Sequence, residues 1–162
     1  MIKQLLFLLL LIIPFTQSQG QLAVTKTGVP PFRILLTSGN YYGYKNLEKD
    51  KGLILIYFAP ECDHCRDFIK KLIAGMGDLK KTQIIMVSYL PLPNLQQFAK
   101  DFKLDKYPNV KVGTEGNSFL VPGYFKIVKF PFTALFDKYG KLVATYREVP
   151  SLKALADFSK KL

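Results

Sequence analysis

An apolar run that leads into two closely spaced cysteines constrains the fold of this chain more than any other feature. Residues 53–58 form an uninterrupted apolar segment, and Cys62 and Cys65, the only cysteines, follow it closely. Behind them, apolar residues such as Ile69 and Leu72 recur at helical spacing, which predicts a buried strand passing directly into an amphipathic helix. A helix start offers unpaired N–H groups and a partial positive charge, which favour a thiolate. We therefore predict that this pair is a centre of thiol–disulfide exchange.

The first residues are typical of a secretory signal peptide. Lys3 precedes an apolar run over residues 5–13, Pro14 ends the run, and small or polar residues 18–20 provide a cleavage site. The run is shorter than the roughly 17–25 residues of a membrane-spanning helix, although an uncleaved N-terminal anchor remains an alternative. We predict export to the periplasm or cell envelope. The expected divisions are a signal peptide at residues 1–20, a lead-in segment at 21–31 and one domain at 32–162.

Two other uses of a cysteine pair are disfavoured by the sequence. A structural disulfide stabilises a fold more when it closes a longer loop, and Cys62 and Cys65 close a very short one. Structural zinc usually takes four Cys or His ligands, whereas this chain has two cysteines and one histidine. We therefore expect no zinc and no organic cofactor.

The excess of positive charge does not by itself point to a partner. Lys and Arg number 23 against 12 Asp and Glu, a formal net charge of +11. The lysines are dispersed among apolar helices and strands, which is typical of solvated faces; attraction to anionic lipid or acidic partners is the alternative. Because an exported protein rarely meets nucleic acid, we expect no nucleic-acid partner. The length gives no sign of an added dimerisation domain, so a monomer is expected.

The pattern of apolar segments predicts alternating strands and helices. Strands are expected near residues 32–37, 53–58, 83–89 and 109–113, with a hairpin over 132–146. Helices are expected behind the cysteines, around residues 95–102 after a loop marked by Pro91 and Pro93, and after Pro150. The tyrosines at positions 41, 42 and 44 indicate either a second hairpin strand or a binding patch. This order predicts a mixed sheet flanked by helices.

Three segments give the chain a likeness to a known family. They are residues 57–65 with the cysteine pair, residues 130–133 with Pro131, and the turn at residues 137–141. In this order the chain resembles the thioredoxin superfamily, and most closely its exported TlpA/ResA-like branch, over residues 32–162. The resemblance implies an α/β, thioredoxin-like fold, with a central mixed β-sheet flanked by helices on both faces.

The resemblance also implies roles for individual residues. Cys62 would be the exposed nucleophile and Cys65 the more buried thiol that resolves the mixed disulfide. Pro131 would be a cis-proline facing the disulfide, since a cis bond before proline costs only about 0.5–1 kcal/mol, and Phe130 would lie beside the bound substrate. An ordinary proline at the start of a strand is the alternative reading of Pro131.

The chain departs from the family pattern near the cysteines. Ile56 occupies the strand position where thioredoxin has a buried acid that assists proton transfer, and isoleucine cannot transfer a proton. Glu61 and Asp63 are predicted either to move that proton or to act only on solubility and the helix dipole. His64 would stabilise the Cys62 thiolate and make the disulfide more oxidising, or serve only as an exposed spacer.

The sequence thus predicts an exported thiol–disulfide oxidoreductase that works on protein partners. Cys62 and Cys65 would exchange a dithiol and a disulfide through a mixed disulfide, in the reducing direction. A membrane redox partner is implied, because the chain has no second redox centre with which to regenerate itself. Two alternatives stay open: a copper-binding module of the same fold that uses these cysteines and His64, and a non-catalytic binding domain.

Overall fold

The computed structural model describes residues 28–162, so the predicted signal peptide and most of the lead-in segment lie outside the described residues. The described chain folds into seven strands and four α-helices, joined by short 3₁₀ turns. The strands are β1 Arg33–Leu36, β2 Tyr41–Gly43, β3 Gly52–Tyr57, β4 Thr82–Ser88, β5 Val110–Thr114, β6 Phe132–Phe136 and β7 Leu142–Tyr146. The helices are α1 Asp63–Ala74, α2 Leu92–Asp101, α3 Leu120–Phe125 and α4 Leu152–Lys160.

All seven strands form one mixed sheet in the order β2-β1-β5-β4-β3-β6-β7. The three central strands β3, β4 and β5 are parallel, and β1 and β6 run antiparallel to them on either side. The parallel strands therefore finish at one end of the sheet, which we call the cysteine end because Cys62 and Cys65 follow β3 there. The turn between β6 and β7 lies at the opposite end, where Phe136 pairs with Leu53 near the start of β3.

Helices cover both faces of the sheet, as the sequence predicts. Every residue of β3 and β4 is buried, which agrees with their continuous apolar sequences, since a central parallel strand is covered on both faces. One face carries Ile54 and Ile56 and packs against the apolar sides of α1, α2 and α4. The other face carries Leu53, Leu55 and Tyr57 and packs against α3. The prediction of a mixed sheet between two helical layers is confirmed.

Three local predictions are sharpened by the structure. Helix α2 begins at Leu92, so Pro93 lies in its first turn and not in a loop; proline is tolerated there because the first N–H groups of a helix have no intrahelical partner. The tyrosine cluster contains the edge strand β2, which pairs with β1. Gly28, from the predicted lead-in segment, bridges to Lys141 beside the β6–β7 turn.

Within residues 28–162, no helix is long and apolar enough to cross a membrane.

Candidate active site

The two cysteines lie at the start of α1, in different surroundings. Cys62 is the N-cap residue of the helix, with extended backbone angles, and its Sγ accepts a hydrogen bond from the Cys65 N–H at 3.3 Å. Cys62 is partly exposed, whereas Cys65 is fully buried. The sulfur of Cys62 thus lies where the orphan N–H groups and the helix dipole stabilise negative charge. This geometry gives one accessible sulfur and one protected sulfur.

Burial makes Cys65 a poor acid. Removal from water raises the pKa of the Cys65 thiol from its ordinary value of 9.0 to about 12, and the hydrogen bond with the Cys62 side chain adds to the rise. Desolvation has this effect because it disfavours the charged thiolate. At neutral pH, Cys65 is therefore a protonated thiol, and any step in which it attacks a sulfur requires that its proton be removed.

The segment that contains Phe130 and Pro131 lies beside the exposed cysteine. The peptide bond between Phe130 and Pro131 is cis, and the Cys62 thiol lies 3.9 Å from the Phe130 carbonyl oxygen, towards which it points as a donor. Pro131 is buried and Phe130 is partly exposed. The segment before β6 and the start of α1 therefore meet at the sulfur atom of Cys62, although 68 residues separate them in sequence.

The predicted modulating residues adjoin Cys62 in the sequence. Glu61, Asp63 and His64 are all exposed. Asp63 is the first residue of α1 and lies in its acidic first turn, where a carboxylate interacts favourably with the helix dipole. All three side chains are therefore open to solvent next to Cys62 in the sequence.

Below the cysteines, the sheet presents apolar and neutral groups. Ile56 is fully buried in the same cluster as Cys65, so a hydrocarbon side chain lies on this part of the sheet. Its cross-strand partner Thr133 is also fully buried. The Thr133 hydroxyl finds no hydrogen-bond partner among residues 28–162. A buried hydroxyl, and not a carboxylate, is therefore the polar group next to Ile56.

The described chain closely superposes on solved structures despite low sequence identity. A secreted disulfide oxidoreductase of Mycobacterium tuberculosis, homologous to E. coli DsbE, matches with a TM-score of 0.67 at 14% identity, over 82% of this chain and 96% of that one. A thiol-disulfide oxidoreductase of Bacteroides fragilis matches with a TM-score of 0.68 at 17% identity, over 83% and 99%. The domain has the thioredoxin-like fold. A copper-bound ScoI of Arabidopsis thaliana shares it, with a TM-score of 0.66 at 18% identity over 83% and 96%.

No protein-family model and no curated protein matches the sequence of this chain. The likeness to the solved structures establishes the thioredoxin-like fold alone.

Arg66 is a residue of this thioredoxin-like domain whose position the sequence did not reveal. Its guanidinium donates a hydrogen bond to the Pro60 carbonyl at 3.2 Å and lies 3.6 Å from the Asp101 carboxylate of α2. It also covers the Phe102 ring at 5.0 Å from the centroid, a distance that allows a cation–π contact. Arg66 thus ties the loop before Cys62 to α2. Its place next to Cys65 was the only sequence signal available.

A buried carboxylate organises a second loop at the cysteine end. Glu115, which follows β5, is only 8% exposed. Its Oε2 accepts hydrogen bonds from the Val121 N–H at 3.1 Å and the Ser118 hydroxyl at 3.2 Å. Burial, together with the nearby Glu115 carboxylate, raises the pKa of Tyr57 above its ordinary value. Glu115 cannot be recognised from the sequence, because a single acid at a strand end gives no motif.

Aromatic rings connect this loop to the segment before β6. The ring of Phe130 packs on Tyr57 at 5.6 Å and on Tyr89 at 6.1 Å between centroids. Tyr89 also packs on Phe119 at 6.0 Å, and Phe119 is half exposed. The aromatic surface beside Cys62 therefore extends from Phe130 to Phe119 across the cysteine end.

Metal binding has little support in the arrangement of side chains. Among residues 28–162, no group of three or more His, Cys, Asp or Glu side chains is placed to hold a metal ion. A soft metal ion would have to be held by Cys62 and Cys65 with His64 alone, and the exposed His64 lies on the solvent side of the pair.

Proposed function

We propose that this chain is a thiol–disulfide oxidoreductase that reduces disulfide bonds in partner proteins. The observation that carries the proposal is the asymmetry of the cysteine pair. Cys62 is accessible, caps α1 and accepts the Cys65 N–H, whereas Cys65 is fully buried behind it. Cys62 can thus react with a partner protein, while Cys65 stays close enough to attack the mixed disulfide in the second step of the exchange.

The reaction proceeds by two successive displacements at sulfur. The Cys62 thiolate attacks one sulfur of the partner's disulfide; an S–S bond forms to the partner, the partner's own S–S bond breaks, and a partner thiolate leaves. Cys65 then loses its proton and attacks the Cys62 sulfur, which releases the second partner thiolate. Two electrons pass to the partner, which becomes a dithiol after protonation, and the Cys62–Cys65 disulfide remains. Oxidation of a partner would follow the same steps in reverse.

The surroundings of Cys62 determine how readily each step occurs. We assign substrate contact to Phe130 and Pro131, because the Phe130 carbonyl lies 3.9 Å from the Cys62 sulfur and its ring borders the exposed aromatic surface. We assign tuning of the Cys62 thiolate to His64, opposed by the charges of Glu61 and Asp63. With Ile56 at the position of the buried acid, the proton of Cys65 must leave through another route, and these exposed carboxylates are the candidates.

The cellular setting belongs to the same proposal. The signal-like residues 1–20 favour export to the periplasm or cell envelope, and one of the similar structures is described as a secreted oxidoreductase. Regeneration of the dithiol then calls for a membrane redox partner, because each turnover oxidises the only cysteine pair in the chain. We propose a monomer as the working unit.

An equilibrium redox titration tests the proposal. The protein is equilibrated in graded glutathione buffers and its thiols are trapped, with Cys62→Ser and Cys65→Ser measured in parallel. We expect a reversible two-electron transition that both substitutions abolish, and a mixed disulfide that accumulates only in Cys65→Ser. A reduction potential of about −270 mV supports the reducing direction, whereas one of about −120 mV would favour the oxidising direction.

A variant of His64 separates an effect on the reduction potential from an effect on the exchange reaction itself. His64→Ala should keep the two-electron transition and shift it to a less oxidising potential, because the thiolate loses a stabilising neighbour. Cysteines that never cycle in any buffer would refute the redox function altogether. We do not advance copper binding as a second function, since no described cluster of ligands favours it.

A further inference from the structure

Lysines are concentrated at the end of the domain opposite Cys62. This end comprises the segments that precede β3, β4 and β5, the β6–β7 turn, and the last residue of α4 with the two residues that follow it. Leu162 belongs here because it lies against Gly52, the first residue of β3. We call this surface the basic end. Its ten lysines are Lys49, Lys51, Lys80, Lys81, Lys103, Lys106, Lys138, Lys141, Lys160 and Lys161, against five acids, Glu48, Asp50, Asp78, Asp105 and Asp137.

The lysines of the basic end form a connected surface. A single cavity is lined by Lys51, Lys80 and Lys106, so the segments before β3, β4 and β5 are direct neighbours in space. Lys51 forms an ion pair with Glu48 at 2.5 Å, while most of the other lysines are exposed to solvent. Closely spaced lysines of this kind attract an extended anionic surface more strongly than isolated ones do.

The cysteine end carries a smaller excess of positive charge. The start of β1, the turn after β2, the loops that follow β3, β4, β5 and β7, the segment before β6 and the first turn of α1 contain six cations and four acids. They are Arg33, Lys45, Arg66, Lys126, Lys129 and Arg147, and Glu61, Asp63, Glu115 and Glu148. The excess of positive charge is therefore larger at the basic end, opposite the cysteines.

One further feature of the basic end is typical of a surface that meets a lipid bilayer. Tyr139 lies at the tip of the β6–β7 turn, is 82% exposed and is flanked by Lys138, whose ammonium lies 5.3 Å from its ring. Exposed tyrosines are enriched at the level of lipid headgroups.

We propose that the basic end docks on an anionic lipid bilayer and directs Cys62 away from it. The lysines supply attraction to negatively charged headgroups, and Tyr139 enters the interface between them. Contact with the membrane through this end leaves the aromatic surface beside Cys62 free for partner proteins. The proposal does not depend on the redox chemistry, because it rests on charge and topology alone.

Tryptophan probes test this orientation directly, because the chain contains no tryptophan. Tyr139→Trp places a single fluorophore at the basic end, and Phe119→Trp places one at the cysteine end as a matched control. The full chain is added to vesicles of phosphatidylcholine with about 30% phosphatidylglycerol and brominated acyl chains, at low salt and at ~0.5 M salt. We expect strong quenching of the Tyr139→Trp probe only, which falls at high salt. Equal quenching of both probes, or quenching of neither, would overturn the proposal.

Charge variants then show which lysines attract the protein to the vesicles. Lys80→Gln, Lys81→Gln and Lys138→Gln together should reduce quenching of the Tyr139→Trp probe by at least about threefold, because each lysine near an anionic surface strengthens binding several-fold. The triple variant Lys45→Gln, Lys126→Gln and Lys129→Gln removes the same total charge elsewhere and should leave quenching nearly unchanged. A similar loss in both triple variants would show general attraction without orientation and would refute the basic end as the docking face.

Discussion

Raising the pH should lower the free energy of unfolding of the reduced protein, because the Cys65 thiol ionises more readily in the unfolded chain. The thiol is fully buried, and burial raises its pKa from 9.0 to about 12 in the folded chain. A group with a raised folded pKa contributes its full stability below the unfolded pKa and loses that contribution as the pH rises towards the folded value. The Cys65 contribution is therefore complete at pH 7 and is lost progressively above pH 9.

The size of the effect at pH 10 follows from the two pKa values. In the unfolded chain about nine-tenths of the thiol is ionised at that pH, whereas in the folded chain nearly all of it stays protonated. The difference lowers the free energy of unfolding by about 1.4 kcal/mol between pH 7 and pH 10. This figure changes little for any folded pKa above ~11, because the folded thiol is then protonated throughout the range.

Urea denaturation of the reduced protein at pH 7, 8, 9 and 10 measures this loss against a Cys65→Ala variant. Alanine creates a cavity, but its cost is the same at every pH. The other side chains are the same in both proteins, so the Cys65 contribution is the difference between their two pH profiles. Wild type should fall by about 1.4 kcal/mol more than the variant at pH 10. Parallel profiles would show that the Cys65 pKa is not raised, and the argument from burial would fail.

Two further substitutions have effects of opposite sign on the free energy of unfolding, each measured by urea denaturation. Glu115→Ala should cost about 1–3 kcal/mol, because the buried Val121 N–H loses its acceptor. Glu115→Gln keeps an acceptor oxygen and is the control; an equal loss in both would contradict this reason. Thr133→Val should be neutral or stabilise by up to about 1 kcal/mol, since it removes a buried hydroxyl that has no partner among residues 28–162. Marked destabilisation would mean that this hydroxyl is satisfied in solution.

The parts of the fold that the sequence predicted are those specified by local patterns. The apolar run of β3, the cysteine spacing and the helical periodicity of α1 lie within about 25 consecutive residues, so the strand-to-helix junction could be read directly. The β6–β7 hairpin was similarly evident from its turn. In contrast, the sequence pattern predicts too late a start for α2, because Pro93 is typical of a loop, although proline also suits the first turn of a helix.

The missed parts of the site depend on contacts between distant segments. Arg66 reaches α2 only because α1 and α2 pack side by side. Thr133 faces Ile56 because of the antiparallel register between β3 and β6, and no local pattern specifies that register. Glu115 acquires its importance from the loop that folds over it. The lysines of the basic end are scattered along the chain and come together only when the strand directions are known.

The length of β3 has a consequence for any membrane redox partner. This strand of six residues leads from the basic end to the cysteine end, a span of roughly 20 Å at about 3.3 Å per residue. A domain that stands on the bilayer by its basic end holds Cys62 at about that height above the headgroups. A thiol embedded in the membrane cannot touch it. Under the proposed docking, a membrane redox partner that regenerates the dithiol would therefore need its cysteines on a domain that rises from the bilayer to meet Cys62 from above or from the side.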